Sequence, residues 1–459
     1  MNGDMTVRPD DLHSFITLLD QADQLARVTA EVDPYLEAAA IIDRVSKGAA
    51  EGRALLFSAI RGAELPVAAN LLGSRQRVAW ALGTTDLHSL AEKITNDLSP
   101  LKNMNGDQAL IRLCGVENWQ SVDGRHECTV DLTAGGLSRL PLLQFWPQDG
   151  GRYITLGQVL TADRAGRQNC GIYRLQQLDA HRLAVQLRPG AGAARHLRAW
   201  HAGGKPLPVA ITLGGPPALT WAASLPLPAM IDEAHFVGYL TGRPLTMAAC
   251  RHNDLKVPAT AEILIAGEIR PGEVALEGPF GNHTGGYGAA TPQPVIRVSG
   301  IYARANAIYP TTLVGPPPME NANMAEAACQ LLLPLLQHDL PWVRALSMPS
   351  PGIQHRGTLL AVDRACDLPL TEIGRHLAQS RLLRNARLLV LFDADSRLDD
   401  PAELYWRIIN TPDWRARCRV SSGRLLLDAR RPGNWLAVVP DRDVRKKVLK
   451  RWSEYGLQE

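Results

Sequence analysis

The spacing of apolar residues changes twice along the chain, and this change most constrains the fold. Between about Cys114 and Val314 the apolar runs are brief and are separated by Gly, Pro and Asp, which is typical of strands joined by turns. On either side, apolar residues recur at helical spacing, with short apolar runs between the helices. We therefore predict a mixed α+β fold, with an α/β segment at 1–113, a strand-rich barrel or sandwich at 114–318 and an α/β domain at 319–459.

Individual elements follow from the same spacing. We predict helices at 11–20, 36–45 and 370–383, and strands at 54–58, 66–72, 140–145, 153–156, 171–177, 183–187, 209–213, 261–265, 295–298 and 388–392. Asn323 and Glu326 have the spacing of a helix-capping pair, so we predict that a further helix begins at Asn323 and reaches Leu336.

Composition and charge exclude several classes of protein. Of the 459 residues, 46% are hydrophobic and 21% are charged, which is ordinary for a soluble globular chain and excludes a disordered one. The net charge is only +3, and the basic residues are scattered apart from a cluster between Arg445 and Arg451. A nucleic-acid surface would be more densely basic and would contain stacking aromatic residues. We therefore expect no nucleic-acid partner and interpret the cluster as a solvated helix face.

The cysteines and the first residues indicate the compartment. Seven cysteines without a CxxC pair fit neither a set of disulfides nor a cysteine zinc site. The first residues lack a basic stretch followed by an apolar stretch, and the densest apolar run, Leu331 to Leu336, is too short to cross a bilayer. We expect a cytoplasmic protein in a reducing compartment, without a membrane partner.

The segment from Glu277 to Gly288 has the composition of a site loop. Six of its twelve residues are Gly or Pro, which favour tight turns. Polar side chains are supplied over a short arc by Glu277, Asn282, His283 and Thr284. On this composition alone, an ordinary turn with satisfied polar groups is an equally good interpretation.

The loop is one of a series of motifs distributed over almost the whole chain. In chain order the motifs are Asp33 to Ala40, Tyr153 to Thr155, Gln168 to Arg174, Pro208 to Pro217, Glu233 to Leu240, Asn253 to Ala259, Glu277 to Tyr287 and Asp393 to Asp395. In content and order, this series resembles the UbiD family of decarboxylases, which use prenylated FMN. The resemblance covers all three predicted parts of the chain, so chance similarity is a poor explanation.

The resemblance implies a fold, an activity and several partners. The family fold has an N-terminal α/β segment, a central split β-barrel related to flavin reductases and a C-terminal α/β domain used for oligomerisation. Members decarboxylate aromatic, heteroaromatic or α,β-unsaturated carboxylic acids without oxidation, in several cases reversibly, and the prenylated flavin serves as electron sink. The resemblance also implies a divalent metal, usually Mn2+, with K+ as a further candidate. It further implies a flavin prenyltransferase that supplies the cofactor, and a homodimer or larger homo-oligomer.

Catalytic residues are implied by the same motifs. Arg174 and Glu277 match the family's arginine and the first carboxylate of the site loop. An arginine can hold a substrate carboxylate with two hydrogen bonds, and a paired glutamate sets the charge that the substrate meets. The alternative is that Arg174 and Glu277 are joined only for structural reasons.

Cofactor and metal contacts are implied in the same way. Asn169 and Glu233 match two ligands of the metal, and oxygen ligands suit such a hard cation. A solvated carboxylate at a helix start is the alternative for Glu233. Arg387 stands where the family commonly has a lysine that contacts the cofactor phosphate. The positions that match cofactor contacts are Asn169, Ile172, Tyr173, Arg174, Leu225, Pro226 and Arg387.

Three positions depart from the family pattern. Asn282 stands where the family has a Glu or Asp that protonates the decarboxylated intermediate, and an amide cannot donate and recover a proton at neutral pH. The segment 185–192 aligns with a family histidine that binds the metal, but it contains no histidine, and His196 follows later. Gly286 replaces a frequent aromatic residue before Tyr287, so we expect a wider pocket or a more mobile loop on that side.

These departures leave two alternatives to an active decarboxylase. The first is a non-catalytic or subunit-type homologue that binds a flavin. The second is an unrelated hydrolase that uses His283, His235 and His355, although the chain contains neither HExxH nor GxSxG. Bound prenylated FMN together with CO2 release would decide between the decarboxylase and the non-catalytic homologue.

Overall fold

A computed structural model describes residues 8–48, 52–350, 356–433, 436 and 438–456 of the chain. Within these residues, helices and strands are mixed in the N- and C-terminal segments, and strands dominate the middle. The predicted mixed α+β fold is therefore confirmed. The boundaries between the three parts stay predictions.

The N-terminal segment begins with the predicted alternation of helices and strands. Its elements are α1 (Leu12–Gln21), β1 (Leu25–Val32), α2 (Glu37–Ser46), β2 (Ala54–Ile60), β3 (Val67–Ala69), α3 (Arg75–Ala81), α4 (Leu87–Leu98) and α5 (Gly106–Cys114). The carboxylate of Asp11 caps α1 by accepting the N–H of Ser14. The strand predicted at 66–72 ends early because Asn70 turns the chain with a φ of +53°.

The central segment contains most of the strands. Its elements are β4 (Val122–Asp123), β5 (Val130–Asp131), β6 (Tyr153–Ile154), β7 (Gln158–Ala162), β8 (Gln168–Ile172), β9 (Leu175–Gln177), β10 (Arg182–Val185), α6 (Gly192–His201), β11 (Leu207–Leu213), α7 (Pro217–Ala222), α8 (Glu233–Thr241), β12 (Thr246–Ala249), β13 (Lys256–Pro258), β14 (Ile263–Glu277), β15 (Phe280–Gly281), β16 (Tyr287–Gly288), β17 (Thr291–Ala303) and β18 (Tyr309–Thr311). An antiparallel nine-stranded sheet has the order β6-β9-β10-β17-β14-β11-β7-β8, with β5 on β17.

Two strand predictions in the central segment need correction. Residues 140–145 form no regular strand, only single bridges from Leu143 to Tyr153 and from Gln144 to Tyr35. Pro141 lacks the N–H that a paired strand needs, which explains the difference. The strand predicted at 171–177 is broken into β8 and β9. The break frees two residues of this segment, Tyr173 and Arg174, for the site described below.

The C-terminal segment returns to alternating helices and strands. Its elements are α9 (Glu320–Asp339), β19 (Val343–Ser347), β20 (Gly357–Val362), α10 (Leu370–Gln379), β21 (Leu388–Asp393), α11 (Pro401–Ile409), α12 (Trp414–Arg417), β22 (Cys418–Ser421), β23 (Arg424–Asp428) and α13 (Arg442–Lys450). The five strands form one sheet in the order β19-β20-β21-β23-β22, in which β20, β21 and β23 are parallel.

The start of α9 differs from the capping prediction. The helix begins at Glu320, so Asn323 lies inside it, and its side chain donates to the carbonyl of Gly73 at 3.0 Å. The carboxylate of Glu320 is buried and accepts the N–H of Leu72 at 2.6 Å. The helix therefore starts where a tertiary contact is made, which the local sequence does not show. The helix predicted at 370–383 ends at Gln379.

The middle of the central sheet is buried between two hydrophobic cores, whereas the second half of β14, from Arg270 to Leu276, is largely exposed. In β14, Ile263 and Ile265 pack into one core, and Leu264 and Ala266 pack into the other. The N-terminal segment is joined to this arrangement, because β18 pairs in parallel with β3 and α9 packs against α3, α4 and α5. Loops at the edge of a sheet held in this way have a rigid support for functional side chains.

The basic cluster near the C-terminus lies on α13, on which no side chain is buried, so its interpretation as a solvated helix face is confirmed. Among the residues with assigned structure, no helix combines the length and apolarity needed to cross a membrane.

Candidate active site

A buried ion pair joins the two predicted catalytic charges. Arg174, in the break between β8 and β9, donates from Nε and Nη2 to the two carboxylate oxygens of Glu277, both at 2.8 Å. Glu277 ends β14 and its side chain is fully buried, whereas that of Arg174 is 16% exposed. The guanidinium also lies over the ring of Phe280, 4.6 Å from its centroid. These contacts fix the guanidinium plane and leave Nη1 for a ligand anion.

The turn after Glu277 is held by residues that the motif analysis did not single out. Gln176 accepts the N–H of Gly278 at 2.7 Å, and Asp149 accepts the N–H of Gly281 at 2.8 Å. Tyr153 donates to the carbonyl of Pro279 at 3.3 Å. Burial raises the pKa of Asp149, an effect that its hydrogen bonds and Arg174 oppose. These bonds keep the loop in one conformation around the ion pair.

Asn282 uses its amide oxygen inside the loop. Its Oδ1 accepts the backbone N–H of Thr284 at 2.8 Å and also the hydroxyl of that residue. A Cβ at Gly286 would meet only Thr284 Oγ1, at 3.9 Å, so the loop is open at the position where a larger side chain was expected. The exposed ring of Tyr287 reaches back, and its hydroxyl accepts the N–H of Gln148 at 3.2 Å.

The two predicted metal ligands contact each other. Asn169 donates from Nδ2 to Glu233 at 2.8 Å, and the other oxygen of Glu233 accepts the N–H of Cys170 at 2.7 Å. Burial raises the pKa of Glu233 to about 8. The Oδ1 atom of Asn169 is buried and has no hydrogen-bond partner among the described residues. A buried carboxylate and an unpartnered oxygen are both features that a bound cation would satisfy.

A narrow cleft of about 200 Å³ surrounds this contact. It is lined by most of the predicted cofactor and metal positions, namely Asn169, Ile172, Tyr173, Leu225, Pro226 and Glu233. The cleft is also lined by three arginines, Arg195, Arg381 and Arg384. None of them belongs to a motif named in the sequence analysis. Arg381 is paired with Asp107 at 2.9 Å, so Arg195 and Arg384 are the cations available to a phosphate in this cleft.

A second, larger space adjoins the cleft. This arginine cavity, of about 1000 Å³, is lined by Arg174, Gln186, Arg188, Asn282, His283, Thr284, Gly288, Ala289, Thr291, Arg356, Arg384, Asn385, Ala386, Arg387, Ser422, Gly423 and Arg424. Arg384 and Asn385 line both spaces, and the consecutive residues Tyr173 and Arg174 line one each. The predicted phosphate contact Arg387 lines the cavity and is absent from the lining of the cleft.

The side chains that line the cleft fit the phosphate of the expected cofactor, and Asn169 and Glu233 fit a cation beside it. Arg195 and Arg384 offer charge to a phosphate, and the open position at Gly192 keeps Asn169 accessible, since a Cβ there would fall 1.6 Å from Asn169 Oδ1. Across the described ranges, no group of three or more His, Cys, Asp or Glu side chains could hold a metal alone. A hard cation at Asn169 and Glu233 would therefore share its remaining coordination with the phosphate and water.

Of the four histidines named in the sequence analysis, His235 lies on the same helix as the predicted metal ligand Glu233, two residues after it. His196 is buried in α6, with Nδ1 2.9 Å from the hydroxyl of Thr161. His283 lines the arginine cavity and contacts Asn321 at 3.1 Å, while His235 lies on α8. His355 lies outside the described residues.

Comparison of the sequence with known families agrees with the motif resemblance. Residues 120–317 match the family described as 3-octaprenyl-4-hydroxybenzoate carboxy-lyase Rift-related domain (UbiD), and residues 16–95 match the N-terminal domain of the same carboxy-lyase. An uncharacterised protein of Aquifex aeolicus is 36% identical over 413 residues, which cover 88% of this chain and 85% of that protein. An uncharacterised protein of Synechocystis is 32% identical over 485 residues, with 97% and 96% coverage.

Solved structures share the fold. Vanillic acid decarboxylase of Sedimentibacter hydroxybenzoicus, in closed form, matches with a TM-score of 0.83 at 24% identity, covering 98% of this chain and 100% of that chain. An evolved dimeric form of the UbiD-class enzyme HmfF from Pelotomaculum thermopropionicum, in complex with prFMN, matches with a TM-score of 0.79 at 25% identity, covering 95% and 98%. The fold is thus that of a carboxy-lyase of the decarboxylase class. The chain belongs to the UbiD family, and the hydrolase alternative is wrong.

Proposed function

We propose that the protein decarboxylates an aromatic, heteroaromatic or α,β-unsaturated carboxylic acid, without oxidation and reversibly, with prenylated FMN as cofactor. The observation that carries this proposal is the buried pair of Arg174 and Glu277, whose arginine lines the cavity directly after Tyr173, which lines the cleft. The HmfF relative, whose structure contains prFMN, supports the cofactor. A flavin prenyltransferase is the proposed source of that cofactor.

The reaction breaks the bond to the carboxylate carbon, releases CO2 and puts a proton in place of the carboxylate. When bound, the prenylated flavin supplies an electron sink for this exchange. We propose that Arg174 binds the reacting carboxylate through Nη1 while Glu277 fixes the guanidinium plane. Because both Glu277 oxygens accept from Arg174, we favour as proton source a water held at Asn282 and His283, or a group of the substrate.

The cleft is the proposed place of the cofactor phosphate. We propose that Arg195 and Arg384 would contact the phosphate, and that Asn169 and Glu233 would hold a divalent ion, Mn2+ for preference, which would supply further positive charge to the phosphate. The flavin would then be flanked by Ile172, Tyr173, Leu225 and Pro226. K+ remains a further candidate without an assigned ligand. Arg384 replaces Arg387 as the preferred phosphate contact, since it lines the cleft.

The decisive experiment produces the protein together with a flavin prenyltransferase. The absorbance spectrum and mass spectrometry of the purified protein report whether prenylated FMN is bound. CO2 release, and deuterium exchange into the decarboxylated products, are then measured over aromatic, heteroaromatic and alkenyl acids. Bound cofactor without either reaction over the whole panel would favour the non-catalytic or subunit-type homologue.

A first prediction concerns the link between metal and flavin. Glu233→Gln should lower both the Mn2+ content and the flavin retained after gel filtration by about tenfold or more, because a ligand carboxylate becomes a neutral amide. Glu92→Gln, at an exposed carboxylate on α4, is the matched control and should change neither. Full flavin occupancy in a Glu233→Gln protein that has lost its metal would contradict the link.

A second prediction concerns assembly. We propose a homodimer or larger homo-oligomer that forms through the C-terminal domain, since α11 leaves Tyr405, Trp406 and Ile409 more than half exposed. The native protein should have the mass of an oligomer by light scattering, and Ile409→Glu should shift it toward the monomer. An oligomer of unchanged mass in Ile409→Glu would place the interface elsewhere.

A further inference from the structure

The arginine cavity carries more positive charge than decarboxylation of a simple acid needs. Its lining contains six arginines and no Asp or Glu among the described residues. One of the six, Arg174, is paired with Glu277. The other five form no ion pair with a carboxylate of the described chain, and they are Arg188, Arg356, Arg384, Arg387 and Arg424.

Three of these arginines lie side by side at the start of three neighbouring parallel strands. Arg356 immediately precedes β20, Arg387 immediately precedes β21, and Arg424 is the first residue of β23. The N–H of Arg387 donates to the carbonyl of Arg356, and the N–H of Leu425 donates to the carbonyl of Arg387, both at 2.7 Å. The three positions are therefore in register. We call them the arginine row.

Such a row is unfavourable without an anion. Neighbouring strands are about 4.8 Å apart, and like charges that face each other across them repel. The charge of Arg356 also affects two other residues that line the cavity. Burial lowers the pKa of Arg188, and Arg356 and Arg174 lower it further. Burial likewise lowers the pKa of His283, again reinforced by Arg188 and Arg356. The Nη1 atom of Arg424 is buried, and no residue in the described ranges hydrogen-bonds to it.

The anions of the proposed reaction do not neutralise the row. Under the proposed function, the reacting carboxylate would bind Arg174, and the cofactor phosphate would bind Arg195 and Arg384, which line the cleft. Even if Arg387 also reached that phosphate, Arg356 and Arg424 would remain without a counter-charge. A bound anion between them would relieve the repulsion and would satisfy the free N–H groups.

Resting on the proposed function, we infer that the substrate carries a second anionic group, a phosphate or a carboxylate, which the arginine row binds while Arg174 holds the reacting carboxylate. Planar guanidinium groups bind phosphate and carboxylate oxygens in pairs, so both sources satisfy the same chemistry. The cavity volume of about 1000 Å³ admits an acid with two such groups.

The test measures binding to the FMN-loaded full chain by calorimetry. The probes are benzoate, terephthalate and 4-phosphonooxybenzoate, which carry one carboxylate, two carboxylates, and a carboxylate with a phosphate. At least one of the two polyanions should bind tenfold or more tightly than benzoate, and the tighter one identifies the second group. Arg356→Gln combined with Arg424→Gln should remove this advantage and leave the affinity for benzoate unchanged.

Arg112→Gln, at an exposed arginine on α5, is the matched control and should keep the advantage. Because the double variant loses charges that repel each other, its melting temperature without ligand should not fall below that of the native protein. If the double variant does not fold, binding of the polyanions to the two single variants is compared instead. The inference is overturned if neither polyanion exceeds benzoate in the native protein, or if the advantage survives in the row variants. If the protein decarboxylates acids but binds neither polyanion more tightly than benzoate, the proposed function stands and the second anion site is overturned. If a polyanion binds more tightly than benzoate but no acid of the panel is decarboxylated, the proposed function is overturned and the anion site stands.

Discussion

Arg174→Ala and Glu277→Gln are each expected to remove most of the turnover of the protein loaded with prenylated FMN. Breaking a buried ion pair leaves one partner uncompensated, at a cost of roughly 3–5 kcal/mol. Glu277 is fully buried and both its oxygens depend on Arg174, so the pair has this character. If half of that cost falls on the transition state, the rate drops by about tenfold to a hundredfold. Initial rates of CO2 release measure the loss.

The double variant separates a catalytic pair from two independent residues. When two side chains act as a unit, removing the second costs little more than removing the first. Arg174→Ala combined with Glu277→Gln should therefore be close to the worse single variant, and multiplicative losses would contradict the proposed pair. The chain offers a matched control, because Glu262 is also fully buried and contacts Arg304 at 3.1 Å, with the arginine 17% exposed. Glu262→Gln should lower the free energy of unfolding without lowering the turnover of the folded protein.

The motif resemblance named two pairs of residues that are distant along the chain and that contact each other in the structure. Arg174 and Glu277 are 103 positions apart, and Asn169 and Glu233 are 64 apart, yet the structure brings each pair to 2.8 Å. The apolar spacing predicted α1 and α2 to within one residue, because amphipathic helices with a single buried face show a clear period.

What the sequence did not predict depends on tertiary contacts. The sequence analysis named Arg387 only as a phosphate contact and did not name Arg356 or Arg424, and only strand register places these three arginines side by side. The start of α9 is set by the contact of Glu320 with the distant Leu72, which a local capping rule does not include. The contact of Arg387 with the cofactor phosphate stays a prediction from family position; we propose Arg384, three residues earlier, because Arg384 lines the cleft and Arg387 does not.

Asn282→Asp is the second change with a large expected effect. The swap is nearly isosteric, and an aspartate oxygen can still accept the N–H and the hydroxyl of Thr284, so the variant should fold. Proton transfer by a positioned side chain contributes about 10²–10⁴-fold to a rate, so turnover should change by about tenfold or more. The native profile of turnover against pH should lack a limb from a carboxylic acid at position 282. Thr284→Val, which removes only the hydroxyl donor, controls for changes in the loop.

The direction of the change identifies what the native amide does. Burial lowers the pKa of the neighbouring His283, and Arg188 and Arg356 lower it further, so these two positive charges should favour the ionised form of a carboxyl introduced at 282. A gain in turnover that grows as the pH falls would therefore mean that the native site is short of a proton donor. A large loss at every pH would mean that the NH2 group of Asn282 orients water or substrate. If the native protein and Asn282→Asp, both loaded with prenylated FMN, neither release CO2 nor exchange deuterium over the whole panel of acids, the decarboxylase proposal gives way to the non-catalytic homologue.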